Sequence, residues 1–274
     1  MKIRLTIILT IFLLSCDRNQ TGTTELTDKK ILKLIQDFSD SDWPTVYHAK
    51  DTLEILEHES LPYLFDLLNH ENKFIKLTNT ADLIYPGATE FWGHGWVIDY
   101  DLDWLTIRSG WAIEEITFQN FGFKENKITE GDLFELQMDS TEYQEYLRTG
   151  KYDFKINPEK IQQVNDITST ATKWWTENHK SWTRLNGVIE ALNSGDTTKQ
   201  MLGLNHLIRG NCINGLDLKT YKNSIEPTIK TLMKSSNATV KMYAKGLDES
   251  VNYEGDFHYI NLRTKCLEAN GHQQ

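Results

Sequence analysis

The feature that most constrains the fold of this chain is the recurrence of apolar residues at the helical spacing of three and four. Pro44 and Pro62 each stand where a first helical turn tolerates proline, and Thr27 is suited to cap a helix. The pattern predicts three amphipathic helices, with these stripes: Ile31, Leu34, Ile35 and Phe38; Val46, Ala49, Leu53 and Leu56; Leu61, Leu64, Phe65 and Leu68. A further predicted helix carries Phe74, Ile75, Thr78 and Ala81.

The same spacing returns in the second half of the chain. Pro158 begins a long predicted helix that reaches about His179, and Trp175 and Trp182, seven residues apart, favour its docking against neighbours. Gly195 and Asp196 precede another predicted helix, which carries Met201, Leu204, Leu207 and Ile208. The chain is therefore predicted to be mostly α.

Two blocks, residues 40–84 and 185–250, resemble the HEAT-repeat family. The better copy has Pro227, Ile229 and Leu232, then the polar turn Ser235-Ser236-Asn237, then Val240, Lys241, Ala244 and Leu247. The looser copy has Pro62 to Leu68, Asn69 to Asn72, then Ile75, Lys76 and Leu83. The resemblance implies antiparallel helix pairs in an α-solenoid-like stack, whose surface binds a partner without inherent catalysis.

The stretch from Tyr85 to Phe123 lies between these blocks and holds four of the eight tryptophans. From about Asp101 its spacing predicts a helix with a buried stripe, which comprises Leu102, Leu105, Ser109, Ala112 and Ile116. Arg108 lies on a neighbouring line between Trp104 and Trp111, where it can stack on an indole and reach a carboxylate. This arrangement predicts a half-buried structural clamp, with ligand recognition as the alternative.

An aromatic loop precedes that helix. Glycines flank His94, so the backbone there can adopt unusual angles, and Trp92 and Trp96 offer flat apolar faces. The loop could stack a sugar or an aromatic ligand, with His94 and Glu90 as hydrogen-bonding groups. The other interpretation, which we favour from the sequence, is a buried plug at the end of the first helical block.

Asp99, Asp101 and Asp103 alternate like the first ligands of a calcium loop. That loop would need glycine at its sixth position and glutamate at its twelfth, where this chain has Trp104 and Gly110. The calcium-loop interpretation fails, and we predict no metal and no cofactor. We interpret the aspartates as solvated charges at a helix start, with a non-standard cation site that neutralises the three carboxylates as the alternative. They remain part of one candidate ligand surface, which comprises Glu90, Trp92, His94, Trp96, Asp99, Asp101, Asp103 and Arg108.

The beginning of the chain has the three parts of an export signal. Lys2 and Arg4 precede the apolar run Leu5 to Leu14, which is too short to span a bilayer, and Ser15 precedes Cys16. Leu13-Leu14-Ser15-Cys16 resembles the lipobox of bacterial lipoproteins. The resemblance implies cleavage before Cys16 and its acylation by palmitate-type chains, which would anchor the protein to a membrane of the cell envelope. An ordinary secretory signal is the alternative.

Charge and motifs argue against several common functions. The formal charge is −10, and cleavage after Ser15 would remove two basic residues and give −12. This balance disfavours nucleic acid or anionic lipid as the main partner. The chain has no Walker loop, GxSxG, HExxH, CxxC or GxGxxG motif, so we assign no catalytic residue and favour a non-enzyme. Cys212 and Cys266 could pair or remain free thiols.

These observations divide the chain into a signal (1–15), a flexible tether (16–26), an N-terminal helical block with the aromatic stretch (27–123), an irregular connection (124–157) and a C-terminal helical block (158–274). The favoured function is a lipid-anchored scaffold that binds a protein partner in the envelope. The alternative is an envelope enzyme, or a glycan- or small-ligand-binding protein, that uses the Trp92-His94-Trp96 loop. An immunity factor that blocks a toxin also fits the acidity and the export signal.

Overall fold

The computed structural model describes residues 28–69, 74–76, 102–127, 141, 156–209 and 213–253. Across these ranges the chain is mostly helical, with a single pair of three-residue strands, which confirms the prediction of a mostly α fold. The HEAT-like, α-solenoid-like arrangement of the helices stays a prediction. No helix in the described ranges has the length and the apolar character needed to cross a bilayer.

The first three helices follow the predicted stripes. Helix α1 covers residues 28–38, α2 covers Trp43–Ile55 and α3 covers Leu61–Leu68. The side chain of Asp42 caps α2 by accepting hydrogen bonds from the backbone nitrogen (3.2 Å) and the hydroxyl (2.7 Å) of Thr45. Every apolar residue of these stripes is buried or partly buried, and Thr27 lies outside the described residues.

A pair of short antiparallel strands takes the place of the start of the predicted fourth helix. Strand β1 (Phe74–Lys76) pairs antiparallel with β2 (Leu102–Trp104), so that Ile75 lies opposite Asp103. The prediction of a helix through Phe74 and Ile75 is therefore wrong, because pairing with a distant segment overrode local spacing. Thr78 and Ala81 lie outside the described residues.

Helix α4 (Leu105–Thr117) is the most enclosed element of the described fold. It begins after β2 rather than at Asp101, and all its residues except Glu115 are buried. The predicted stripe from Leu105 to Ile116 is confirmed. The helix ends where Phe118 adopts a left-handed backbone with φ of 58°.

The remaining helices are α5 (Pro158–Asn178), α6 (Arg184–Asn193), α7 (Thr197–Arg209), α8 and α9 (Ala238–Tyr253). Helix α8 runs through Leu218–Thr220, a π-helical turn Tyr221–Ile225 and Glu226–Leu232. Val240, Ala244 and Leu247 of α9 are fully buried, as their spacing predicts.

Two large apolar clusters hold these elements together. The first core lies among α1–α4 and also contains Ala171 of α5 and Trp182 from the turn after it. The second core lies among α6–α9 and also contains Phe118 from the end of α4. Each core therefore includes residues from the other side of the segment 124–157.

Candidate functional site

Most of the predicted ligand surface lies outside the described residues. This applies to Glu90, Trp92, His94, Trp96, Asp99 and Asp101, and also to Cys16, Cys212 and Cys266. The interpretations of the aromatic loop, the lipid attachment and the cysteine pair therefore stay predictions. Asp103 and Arg108 are described.

Asp103 and Arg108 form a buried ion pair. The Nε of Arg108 donates to Asp103, and one terminal nitrogen donates to the carbonyl oxygens of Phe38 (2.6 Å) and Asp40 (3.0 Å). The guanidinium lies 5.9 Å from the centre of the Phe38 ring. Arg108 thus clamps the end of α1 to β2 and α4, and it is buried rather than half-buried.

The interpretation of the aspartates as solvated charges is wrong for Asp103, which is 5% exposed. The side chain lies on a strand instead of at an exposed helix start, and it contacts Arg108. A buried carboxylate needs such a partner, because removal of an isolated charge from water is costly.

A second buried ionic cluster joins α2 to α4. The ammonium of Lys50 contacts the carboxylates of Glu54 and Glu115. Burial alone would lower the pKa of Lys50, but the two carboxylates outweigh it and raise that pKa above its usual value. Burial acts to raise the pKa of Glu54, and the nearby Lys50 and Arg184 lower it overall, to about 2.

Arg184, at the start of α6, extends this cluster to the second core. It donates to the backbone oxygen of Glu54, and another of its nitrogens lies 3.8 Å from the Glu54 carboxylate. Its guanidinium lies 5.6 Å from the centre of the Phe118 ring and 3.4 Å from Nδ1 of His206. Burial lowers the pKa of Arg184, and Glu54 opposes that shift. We name Lys50, Glu54, Glu115 and Arg184 the ionic junction.

Glu57 supplies another link between the two cores. Its carboxylate accepts hydrogen bonds from the backbone nitrogen (2.8 Å) and the side-chain nitrogen (3.1 Å) of Asn214, which precedes α8. Burial raises the pKa of Glu57, and the Asn214 donors act against the rise. The chain at and just after the end of α2 therefore contacts the start of α6 through Glu54 and the residues between α7 and α8 through Glu57.

Glu114 organises the loop after α4. One carboxylate oxygen accepts the backbone N–H groups of Phe121 (2.8 Å), Gly122 (2.6 Å) and Phe123 (3.0 Å). The other accepts the N–H of Lys124 at 3.2 Å. Burial raises the pKa of Glu114 to about 7, with the amide donors acting in the opposite direction. Both oxygens of this carboxylate therefore hold the backbone of the loop from Phe121 to Lys124 in place.

An aromatic surface lies where α5 meets α3. Trp174 and Trp175 are partly exposed, and their rings are 6.3 Å apart. Trp175 stacks on the buried Phe65 at 5.3 Å, and Trp174 meets Phe121 edge-on at 5.7 Å. We define the aromatic surface by its exposed or partly exposed members, which are His58, Phe121, Trp174, Trp175 and His179.

Two of the members of this surface are histidines. His58 is exposed, its ring lies 5.4 Å from Trp175, and its Nε2 lies 2.7 Å from the backbone oxygen of His179. Trp182 lies in the turn beyond α5 rather than on the same helix as Trp175, and the two ring centres are 6.4 Å apart. Trp182 is buried in the first core and Trp175 packs against that core, so both take part in the predicted docking against neighbours. The sequence signal for this surface was the Trp174-Trp175 pair.

The described charges and aromatic groups differ in what they can do. The ionic junction, the Asp103–Arg108 pair and Glu114 all have partners inside the protein, and within the described ranges no group of three or more His, Cys, Asp or Glu is arranged to hold a metal ion. The aromatic surface, in contrast, consists of rings that are exposed or partly exposed. No family model matches the chain, and no curated protein or solved structure is significantly similar to it.

Proposed function

We propose that this chain is an exported lipoprotein, anchored to a membrane of the bacterial cell envelope through Cys16, that binds a protein partner. The export signal and the lipobox-like Leu13-Leu14-Ser15-Cys16 support the anchoring. The helix pairs α6–α7 and α8–α9 would be HEAT-like units of an α-solenoid-like scaffold.

The observation that carries the binding function is the partly exposed pair Trp174 and Trp175, which pack on the buried Phe65 and the partly exposed Phe121. Stacking on Phe65 holds Trp175, and contact with Phe121 holds Trp174, so little side-chain entropy remains to be lost on binding. Tryptophans in such settings dominate the binding energy of protein interfaces. The partner would therefore contact the aromatic surface.

The anchoring is tested by metabolic labelling of cells with an alkyne-bearing fatty acid. We expect the chain to carry the label and to fractionate with membranes, and Cys16→Ala to abolish both. Cys212→Ala is the matched control and should keep the label. A wild-type protein that is secreted without label would contradict the proposal.

The binding face is tested with a photo-crosslinking amino acid at Lys173 or Glu177, exposed positions on either side of the tryptophan pair. We expect one adduct of constant mass, absent with the probe at the exposed Ser236, and lost when Trp174→Ala is added. A melting curve of the Trp174→Ala protein checks that it remains folded. Equal adducts from both regions, or persistence in Trp174→Ala, would contradict this face.

A further inference from the structure

The α8–α9 pair carries a positive surface on a chain whose overall charge is negative. Residues 218–253 hold six lysines and three carboxylates, a net charge of +3, whereas the whole chain has a formal charge of −10. Two of the carboxylates, Glu226 and Asp248, lie 3.9 and 2.6 Å from the ammonium of Lys230. The other five lysines are exposed and form no ion pair with another described residue. Most of this positive charge therefore faces solvent.

Four of these lysines lie on one surface across the two helices. Lys241, Lys245 and Asp248 follow one another at steps of four and three along one side of α9. The contact of Asp248 with Lys230 places that side of α9 next to α8. Lys234 follows Lys230 by four residues, in the short turn that leads the chain back into α9. We name Lys230, Lys234, Lys241 and Lys245 the lysine surface.

An exposed apolar side chain lies within the lysine surface. Met242 is 61% exposed and stands between Lys241 and Lys245 on α9. A methyl group at Gly246, one turn further along the helix, would meet nothing within 4 Å, so the described fold leaves this side of α9 open. Cationic side chains around an apolar one are typical of helices that lie on anionic membranes, where the apolar group enters the headgroup layer and the lysines reach the phosphates.

We infer that the lysine surface docks on the anionic headgroups of the membrane that holds Cys16, as a second contact beside the acyl chains. The inference rests on the anchoring in the proposed function. Asp28, the first described residue, is twelve residues after Cys16, and a chain of that length reaches at most about 40 Å. The anchor therefore keeps the fold beside the bilayer, where a second contact is effective without high affinity of its own.

The negative charge of the rest of the chain opposes this contact only weakly. At physiological ionic strength charges more than about 8 Å apart in solvent are largely screened, so the headgroups respond to the surface that touches them. Each lysine near an anionic membrane strengthens binding about fivefold. An acidic protein would match the lysines equally well in charge. We favour the membrane because the anchor would hold it beside every copy of the protein, and because Met242 lies among the lysines.

The test is photo-crosslinking of the purified, acylated protein in vesicles that carry a trace of photoreactive phosphatidylcholine. One set of vesicles contains phosphatidylcholine alone, and the other also contains phosphatidylglycerol. We expect lipid adducts at Lys241 to Lys245, located by mass spectrometry, only in the anionic vesicles. Lys241→Glu plus Lys245→Glu should lower their yield about tenfold, and added salt should lower it too.

Lys173→Glu plus Lys180→Glu is the matched control, since both lysines are exposed on or just after α5, outside the lysine surface. It should leave the yield unchanged. Equal yields in both kinds of vesicle, or a yield that the reversal at Lys241 and Lys245 does not change, would overturn the inference. A photoreactive amino acid at Lys245 in cells should capture lipid, and capture of a protein in its place would overturn the inference in favour of an acidic partner.

The intact mass of the same sample separates this inference from the proposed function. Acyl chains missing from Cys16 would refute the anchoring. An acylated protein without adducts on α9 would refute the docking of the lysine surface alone.

Discussion

The guanidinium of Arg184 lies over the ring of Phe118, 5.6 Å from its centre, at the residue where the backbone leaves α4 in a left-handed turn. Phe118 belongs to the second core, while Arg184 contacts Glu54 at the end of α2 beside the first core. One buried cation therefore connects the two apolar clusters.

Loss of the Arg184 guanidinium should destabilise the folded protein. Arg184→Met leaves Glu54 with one buried cation fewer, so we expect the free energy of unfolding to fall by about 3 kcal/mol or more. Urea denaturation measures this change. Lys180→Met, at an exposed neighbouring position, is the control and should stay within about 0.5 kcal/mol of wild type. A similarly small effect at Arg184 would show that the junction contributes little.

The pH dependence of stability should report Glu54. Its pKa is about 2 in the folded protein against an ordinary value of 4.5, so the unfolded state binds the proton more tightly. The stabilisation is present above pH 4.5 and is lost as the pH falls toward 2, a change of about 3 kcal/mol. Urea titrations at several pH values should show this decline in wild type and a smaller one in Glu54→Gln. Parallel curves for the two proteins would refute the assignment.

The loop after α4 should depend on the Glu114 carboxylate. Glu114→Ala removes the acceptor of four backbone N–H groups, and each buried donor left without a partner costs about 1 to 3 kcal/mol. We expect faster hydrogen exchange at Phe121, Gly122 and Phe123, measured by NMR, together with lower stability. Glu125→Ala changes an exposed carboxylate in the same loop and should leave these amides protected.

Two helical glycines should respond oppositely to the same substitution. A methyl group at Gly110 would overlap the ring of Phe123, so Gly110→Ala should destabilise the protein by about 1 to 3 kcal/mol. At Gly246 the space is open within 4 Å, and Gly246→Ala should stabilise α9 by about 0.5 to 1 kcal/mol through its helix propensity. Thermal melting of both variants tests the pair, and a shift of the same sign in both would contradict this packing.

Spacing within the sequence predicted most helices because each carries a complete apolar stripe, as Val240, Ala244 and Leu247 show. It did not predict β1, since its partner β2 lies beyond an intervening segment of the chain. The clamp by Arg108 could be predicted from the sequence because Asp103 is only five residues away. The ionic junction could not be predicted from local spacing, because Lys50 and Glu115 are 65 residues apart in the sequence, and Arg184 and Glu54 are 130 residues apart.

The placement of α5 and Phe118 has a consequence for dividing the chain into fragments. A fragment that stops before α5 would lack Ala171 and Trp182, and so would open the first core to water. A fragment that starts at α5 would lack Phe118 and leave Arg184 without both its aromatic and its acidic neighbour. Each half therefore supplies residues to the core of the other, so we expect a protein cleaved between α4 and α5 to yield two pieces that stay associated until denaturant is added.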